Sequence, residues 1–416
     1  MTTKLNYIDL FAGSGGLSEG FKQAGFNPIA HVEMDANACD TLKTRAAYHY
    51  LNENNKTNIY FEYLKSKEKN KEDLWDKIPQ HLIEAVINKE IKSETIPEIF
   101  QAVDKALGKE KLNLIIGGPP CQAYSVAGRA RDKKGMREDP RNYLYIYYIE
   151  FLKRYQPKMF VFENVPGIIS ANNGIYLDKI FKAAEDIGYE LAIPPKNYLN
   201  AKNFNVLQNR KRVIIIGCKK ELKLRYPNFQ DLVPKYKVLK DLFSDLPHLT
   251  QGQGTKNAVR YIKPATHYLQ LSKIRDEKTN FVTQHIARKT NKNDLEIYRM
   301  AVDSLATGKK LNYATLPKRL IRHKNTKTFT NRFKVVNGED IAHTVVAHIS
   351  ADGHYYIHPD KKQNRSITPR EAARIQSFPD NYFFEGSRTA VFKQIGNAVP
   401  PLMAEKIAEQ LKALLL

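Results

Sequence analysis

One cysteine, Cys121, follows two prolines in the stretch GGPPCQAYS, residues 117–125. A thiolate is intrinsically nucleophilic near neutral pH, so Cys121 reads as a nucleophile or, as is commoner for an isolated cysteine, as a small buried apolar residue. Two other patterns could serve a nucleophile. FENVPG, residues 162–167, carries Glu163, a carboxyl that can move a proton or cap a helix. QNRKR, residues 208–212, sets Arg210 and Arg212 two apart. In an extended segment that spacing aims both at one face, although it also suits a solvated basic edge. A fourth pattern, DLFAGSGG at residues 9–16, is a glycine turn that lets a ligand approach the backbone at a helix N-terminus. It lacks the spaced glycines of dinucleotide enzymes.

Elements must bring these groups together. Residues 112–118, LNLIIGG, are a short apolar run closed by two glycines, which predicts a buried strand. Pro119 and Pro120 cannot continue a ladder. The Cys121 thiol is therefore expected at the rim of a sheet, where open α/β folds hold their ligands. Residues 6–11, 29–34, 159–164 and 212–218 read as further strands, 17–25 as a helix stopped by Gly25, and 144–155 as a crossover helix. Alternating strands and helices predict an α/β fold with a doubly wound, Rossmann-like parallel sheet. Cys121 follows the third strand and Glu163 ends the fourth, so both can face one crevice. Glu33 ends the second strand, where an acid suits ribose hydroxyls. With the glycine turn, it points to an adenosine-containing ligand.

The 416 residues suffice for a large core and two domains. Residues 1–225 are expected to form the catalytic domain, with 51–111 as a helical, mixed-charge elaboration between the second and third strands that shows no chemistry of its own. Residues 226–387 lose the strand–helix rhythm and predict a smaller, basic, loop-rich domain. Residues 388–416 end in an amphipathic helix that returns to the first domain.

Lys and Arg number 66 against 44 Asp and Glu, a net charge of +22. Residues 219–364 alone hold 28 Lys and Arg against 13 Asp and Glu. That imbalance points to a polyanionic partner, most often nucleic acid. No apolar run can span a bilayer and no signal peptide precedes the first strand, so no membrane partner and a cytoplasmic location are expected. Cys39, Cys121 and Cys218 are too few and too scattered for a disulfide framework or a zinc site. His343, His348, His354 and His358 lie in a strand-and-turn pattern with no cysteine partners, so no metal is expected.

The chain resembles the DNA (cytosine-5)-methyltransferases of bacterial restriction–modification systems. DLFAGSGG, GGPPCQAYS, RNYLYIYYIEFLKRYQP, FVFENVPG, QNRKRVIIIG, RSITPREAARIQSFPD and QIGNAVPP follow the family's order over nearly the whole length. The resemblance implies transfer of a methyl group from S-adenosyl-L-methionine to carbon 5 of a flipped-out cytosine in a short duplex DNA sequence, through a Cys121 adduct at carbon 6. It makes Cys121, Glu163, Arg210 and Arg212 catalytic. It places Phe11, Gly13, Ser14, Gly15, Glu33, Pro119, Leu144 and Asn397 around the methyl donor. Residues 127–142 become a loop closing over the flipped base, and residues 226–387 the target recognition domain. Ser125, Arg137, Gln208, Lys318, Arg319 and Arg322 are the expected DNA contacts. The family's acid that contacts the adenine amino group has no clear equivalent in residues 51–111.

The implied partners are double-stranded DNA and a cognate restriction endonuclease, unless the enzyme is an orphan. A monomer associated with the bacterial nucleoid is expected. Transfer-RNA cytosine methyltransferases share the Pro-Cys and Glu-Asn-Val motifs but usually carry a further cysteine in the recognition domain, and none follows Cys218 here. A catalytically silent DNA-binding paralogue would tend to lose the nucleophile or the acid, and both are present.

Overall fold

The computed structural model describes residues 4–68, 70–120, 144–223, 225–229, 232, 234–322, 326 and 330–416. Its strands begin with β1 (Asn6–Leu10), β2 (Asn27–Glu33), β3 (Val86–Asn88), β4 (Leu114–Gly117) and β5 (Met159–Asn164). There follow β6 (Tyr189–Ala192), β7 (Leu199–Asn200), β8 (Gln208–Asn209) and β9 (Lys211–Lys219). Eight of them form one sheet in the order β3-β2-β1-β4-β5-β9-β6, with β7 also paired to β9. β1 to β5 are parallel. β9 runs antiparallel between β5 and β6.

Alternation along the strands explains why both faces are covered. Ile8, Leu10, Ile115, Phe160, Phe162, Val213 and Ile215 share one core. Their neighbours in the chain, Tyr7, Leu114, Ile116, Met159, Val161, Ile214 and Ile216, share another. A strand apolar at every position has to be buried on both sides. Helices α1 (Gly16–Gln23), α2 (Ala36–Glu53), α3 (Thr57–Lys65), α4 (Lys71–Trp75), α5 (Gln80–Glu84), α6 (Ile96–Leu107), α7 (Leu144–Tyr155) and α8 (Ile175–Glu185) surround the sheet or extend from it. α6, α7 and α8 cover the first face.

The remaining helices used below are α9 (Lys292–Ala306), α10 (Pro369–Ile375), α11 (Arg388–Asn397) and α12 (Pro401–Leu415). α12 and α1 cover the second face. No helix among the described residues is long and apolar enough to cross a membrane.

Two sequence expectations change. Residues 51–111 are more than an elaboration, because they include the edge strand β3 and the covering helix α6. LNLIIGG is therefore in the fourth strand and MFVFEN the fifth. The insertion also has its own core, in which Tyr60, Tyr63, Leu74 and Trp75 pack with Phe281 and Phe383. It thus braces α2 against residues 226–387.

That second region has little regular structure. It is wired by buried arginines flanking or within α10, whose N-terminus is a capping box between Thr368 and Glu371. Arg365 is paired with Glu371 at 2.7 Å. Arg374 is paired with Asp245 and Asp380, each at 2.6 Å. Arg370 donates to the carbonyls of Thr283, Pro379 and Tyr382.

Candidate functional site

From β1 the chain winds through β2 to β3 on one side of the sheet, and from β4 to β5 on the other. The carboxyl ends of β1 and β4 therefore flank the crevice where such sheets bind ligands. At the end of β1 the chain turns sharply through left-handed backbone at Phe11 (φ 58°), Gly13 (φ 54°) and Gly15 (φ 79°). Glycine meets this at little cost. The turn is pinned to β2: Gly13 N–H donates to Glu33 Oε2 at 2.8 Å, and Met34 and Asp35 N–H donate to Oε1 at 2.9 and 2.8 Å. Burial raises the pKa of Glu33, and these donors oppose the rise.

Ser14 is buried, and its carbonyl accepts from Tyr382 Oη. Phe11 is half-buried beside the turn. Met34, next to Glu33, is 60% exposed. The sequence reading missed Met34, which looked like the last residue of an apolar strand; an apolar side chain directly after an acid at a strand tip was the available signal.

Asp9 lies inside β1, is 1% exposed and has an Oδ2 with no hydrogen-bond partner. Burial, and then the charges of Glu33 and Glu163, hold its pKa well above the usual carboxylate range.

β4 leads into Gly118, Pro119 and Pro120. Cys121, Ser125 and Arg137 lie outside the described residues, as does the whole of the expected closing loop, residues 127–142. Asn164, at the end of β5, is buried; its Nδ2 donates to Pro119 O at 3.4 Å and its Oδ1 accepts from Val165 N–H at 2.9 Å. It ties the tip of β5 to the turn that leads to Cys121. Glu163 meets Arg212 Nε at 2.7 Å through Oε1. Its other oxygen sits so close to Gly118 that a Cβ there would lie 2.5 Å away, so residue 118 has to be glycine for the carboxylate to take this position.

Arg210 and Arg212 do not share a face. Arg212 Nη1 also donates to Lys211 O at 2.8 Å. Arg210 is fully buried and donates instead to the carbonyls of Val345, Gly396 and Asn397. β8 ends at Asn209 and β9 starts at Lys211, so Arg210 falls at the break and strand periodicity does not carry across it.

Gln208 is also corrected as a DNA contact. It is fully buried; a buried side-chain amide must be satisfied inside the protein, and its Nε2 donates to Ile375 O and Gln376 Oε1 while its Oε1 accepts from Val345 N–H.

Leu144 is half-buried at the start of α7, and Asn397 is exposed at the end of α11. Pro119 is buried at the rim. Lys318, Arg319 and Arg322 are exposed, but Arg319 is clamped to both oxygens of Glu296 on α9, at 2.7 and 2.5 Å. Arg322 reaches Asn291 Oδ1 at 3.3 Å.

An open glycine turn and an acid at the tip of β2 stand at the carboxyl end of the parallel strands, as do the paired Glu163 and Arg212 beside Gly118. The model of the C-5 cytosine-specific DNA methylases matches residues 5–74 and 75–413. The type II methyltransferase M.Bpa9945I of Bacillus paralicheniformis is 42% identical, across 97% of this chain and 98% of that protein. The type II methyltransferase M.DdeI of Desulfomicrobium norvegicum is 30% identical, across 98% of this chain and 88% of that protein. A crystal structure of a putative DNA modification methyltransferase encoded within a prophage (E. coli) superimposes with a TM-score of 0.64 at 23% identity, covering 99% of each chain, and shares the fold. With its motifs in order along a matching sheet, the chain belongs to the C-5 cytosine-specific DNA methylases and is a DNA cytosine-5-methyltransferase.

Proposed function

We propose that the enzyme methylates carbon 5 of a cytosine flipped out of a short, specific duplex DNA sequence, using Cys121 as a nucleophile on carbon 6. The pairing of Glu163 with Arg212 beside the segment leading to Cys121 is the observation that carries this reading. Carbon 5 is a poor nucleophile until the thiolate of Cys121 bonds to carbon 6. The electron pair of the carbon 5–carbon 6 double bond then shifts toward ring nitrogen 3, where the Glu163 carboxyl hydrogen-bonds or protonates the ring. Arg212 fixes the orientation of Glu163 and offsets the negative charge. Carbon 5 would then take the methyl group as the bond from that group to the donor's sulfur breaks; carbon 5 gives its proton to solvent, and the electron pair left behind restores the carbon 5–carbon 6 double bond as the Cys121 thiolate leaves carbon 6. The base must leave the stack, because a thiol cannot reach carbon 6 inside a duplex.

S-adenosyl-L-methionine, when bound, supplies the electrophilic methyl group. The residues at the turn suit it: a Cβ at Gly13 would meet nothing within 4 Å, so the backbone there stands open. Phe11 and Met34 offer apolar surface to the adenine. Glu33 already accepts three backbone N–H groups, and since a carboxylate has about four acceptor sites, one site on Oε2 is left for a ribose hydroxyl. Glu90, two residues beyond β3, takes the place of the acid expected near the adenine amino group. Gly15, Ser14, Pro119, Leu144 and Asn397 complete the surroundings. Arg210 positions the site by holding the backbone of Val345, Gly396 and Asn397.

Residues 226–387 read the target, with Lys318 and Arg322 among the backbone contacts and Ser125 and Arg137 as further DNA contacts. Residues 1–225 and 388–416 carry the chemistry. The type II relatives favour a cognate restriction endonuclease for the same site. We place a monomeric enzyme at the bacterial nucleoid, where its substrate is.

Bisulfite sequencing tests the whole reading after expression in a host that lacks cytosine methylation. Protection of cytosines within one short motif is expected, and its loss in Cys121→Ala. An unprotected genome in the presence of soluble, full-length protein would refute it.

A further inference from the structure

Basic groups gather at a place the chemistry does not use. A cavity of about 390 Å³ opens between the helical insertion, residues 226–387 and the start of α11, with Lys67, Lys256, Asn257, Gln284, Glu385 and Arg388 in its wall. Among the described residues, Lys67, Lys256 and Arg388 have no carboxylate within ion-pairing distance. Arg388 Nε is buried with no acceptor.

Arg288 stands next to it. Its Nη groups donate to the carbonyls of Ile349, Ser350 and Ala351, but its Nε is also buried without an acceptor. Burial and the Arg388 guanidinium both lower the pKa of Arg288, as expected when two like charges are held close together.

Arg388 is the first residue of α11, whose first turn has no acidic side chain. The helix dipole disfavours a cation at that end and favours an anion. Glu385, the acid in the wall, accepts from Thr44 Oγ1 and Tyr63 Oη, each at 2.7 Å, and burial raises its pKa. Oε1 is thereby engaged by the protein, and the donors that Lys67, Lys256 and Arg388 bring to the wall are cationic.

We propose that this cavity binds a backbone phosphate of DNA flanking the target sequence, through Arg388, Lys256 and Lys67. It rests on the enzyme acting on DNA. Because Lys67 belongs to the insertion and Lys256 to the region of residues 226–387, one phosphate would bridge both and lock the recognition region against α2 when DNA is bound.

The test is duplex binding as a function of salt, using fluorescence anisotropy on a random-sequence duplex. Wild type is compared with Arg388→Gln and with Lys67→Gln, the latter an exposed residue whose loss leaves the core alone. Each lost phosphate contact makes the slope of log affinity against log salt shallower by about 0.9. Both variants are expected to show a shallower slope and weaker binding at low salt. Wild-type slopes in both would overturn the proposal.

A second arm identifies the source of the phosphate. Thermal melts compare inorganic phosphate with chloride at equal ionic strength. Stabilisation by phosphate that Arg388→Gln abolishes, with wild-type DNA slopes, would mean a site for free phosphate and would overturn the DNA assignment. A wild-type protein that binds no duplex would overturn the DNA reading itself, and the melt would still report separately on the cavity.

Discussion

Arg212 Nε lies 2.7 Å from Glu163 Oε1 across an antiparallel strand pair. Glu163 stands opposite Ile214 in the register, and Arg212 is two residues before Ile214 in β9, on the same face. A charge-assisted bond of this kind fixes direction as well as charge. Arg212→Lys keeps the charge and loses the planar fork, and Glu163→Gln replaces the carboxyl group by an amide. Each should slow methyl transfer by about a hundredfold or more, measured with labelled methyl donor at saturating DNA, while donor affinity by calorimetry stays near wild type. Near-normal turnover in Glu163→Gln would remove Glu163 from the chemistry.

Gly118 makes room for that carboxylate. A methyl group at residue 118 would sit 2.5 Å from Glu163 Oε2 and 3.1 Å from Glu163 O. Gly118→Ala should therefore push the Glu163 carboxylate out of place and lower turnover, with a modest loss of thermal stability, because the backbone carbonyl of Glu163 at 3.1 Å is crowded as well. Unchanged turnover would show that Glu163 tolerates displacement.

Much of this site is readable from residue order alone, because short apolar runs and their closing residues are local. The strand before Cys121, the strand ending in Glu163 and the turn at Gly13 and Gly15 all follow from neighbours in the chain. What the sequence hides depends on distant partners. Gln208 looks like a polar surface residue, but its amide is satisfied by residues 137 to 168 positions away. Arg210 and Arg212 look equivalent until a break between β8 and β9 sends one guanidinium to backbone carbonyls and the other to Glu163. β3 is three residues long, too short for any period to show. Nothing in the composition of β9 reveals that it runs antiparallel, since a strand buried on both faces reads the same in either direction.

The buried arginines of α10 give a stability prediction. Arg374 is fully buried and is hydrogen-bonded to Asp245, Asp380 and the carbonyl of Leu242. Arg374→Leu would take the shared guanidinium from two buried carboxylates, leaving Asp245 with Arg275 alone as its ion-pair partner and Asp380 with Tyr261 Oη and the more distant Arg370. Removing one member of such a group costs about 3–5 kcal/mol. Urea unfolding should show a loss of that order, whereas Arg319→Leu, which breaks the exposed pair with Glu296, should cost less than about 1 kcal/mol. Equal losses would mean that burial does not set the strength of these pairs.

Acid sensitivity should arise from His358. Its ring is 1% exposed, lies against Phe243, and accepts a hydrogen bond from Asp360 N–H at Nδ1. That bond requires the neutral ring. Burial, with the charge of Arg365 as a second cause, lowers the pKa to about 3, below the roughly 6.5 of an unfolded chain. Between those values the unfolded state binds a proton that the folded state does not. Stability therefore falls as pH drops from about 6.5 toward 3, by roughly 1.4 kcal/mol per pH unit for one proton; above that window both states are neutral here and the effect vanishes. His31 and His343, each lowered to about 4 chiefly by burial, act in the same direction. Urea unfolding at pH 7.5, 6.0 and 5.0 should thus show a declining midpoint, and His358→Gln should flatten the decline by about one proton's worth. A variant whose stability follows the wild-type pH profile would show that His358 takes up its proton in the folded state as readily as in the unfolded chain.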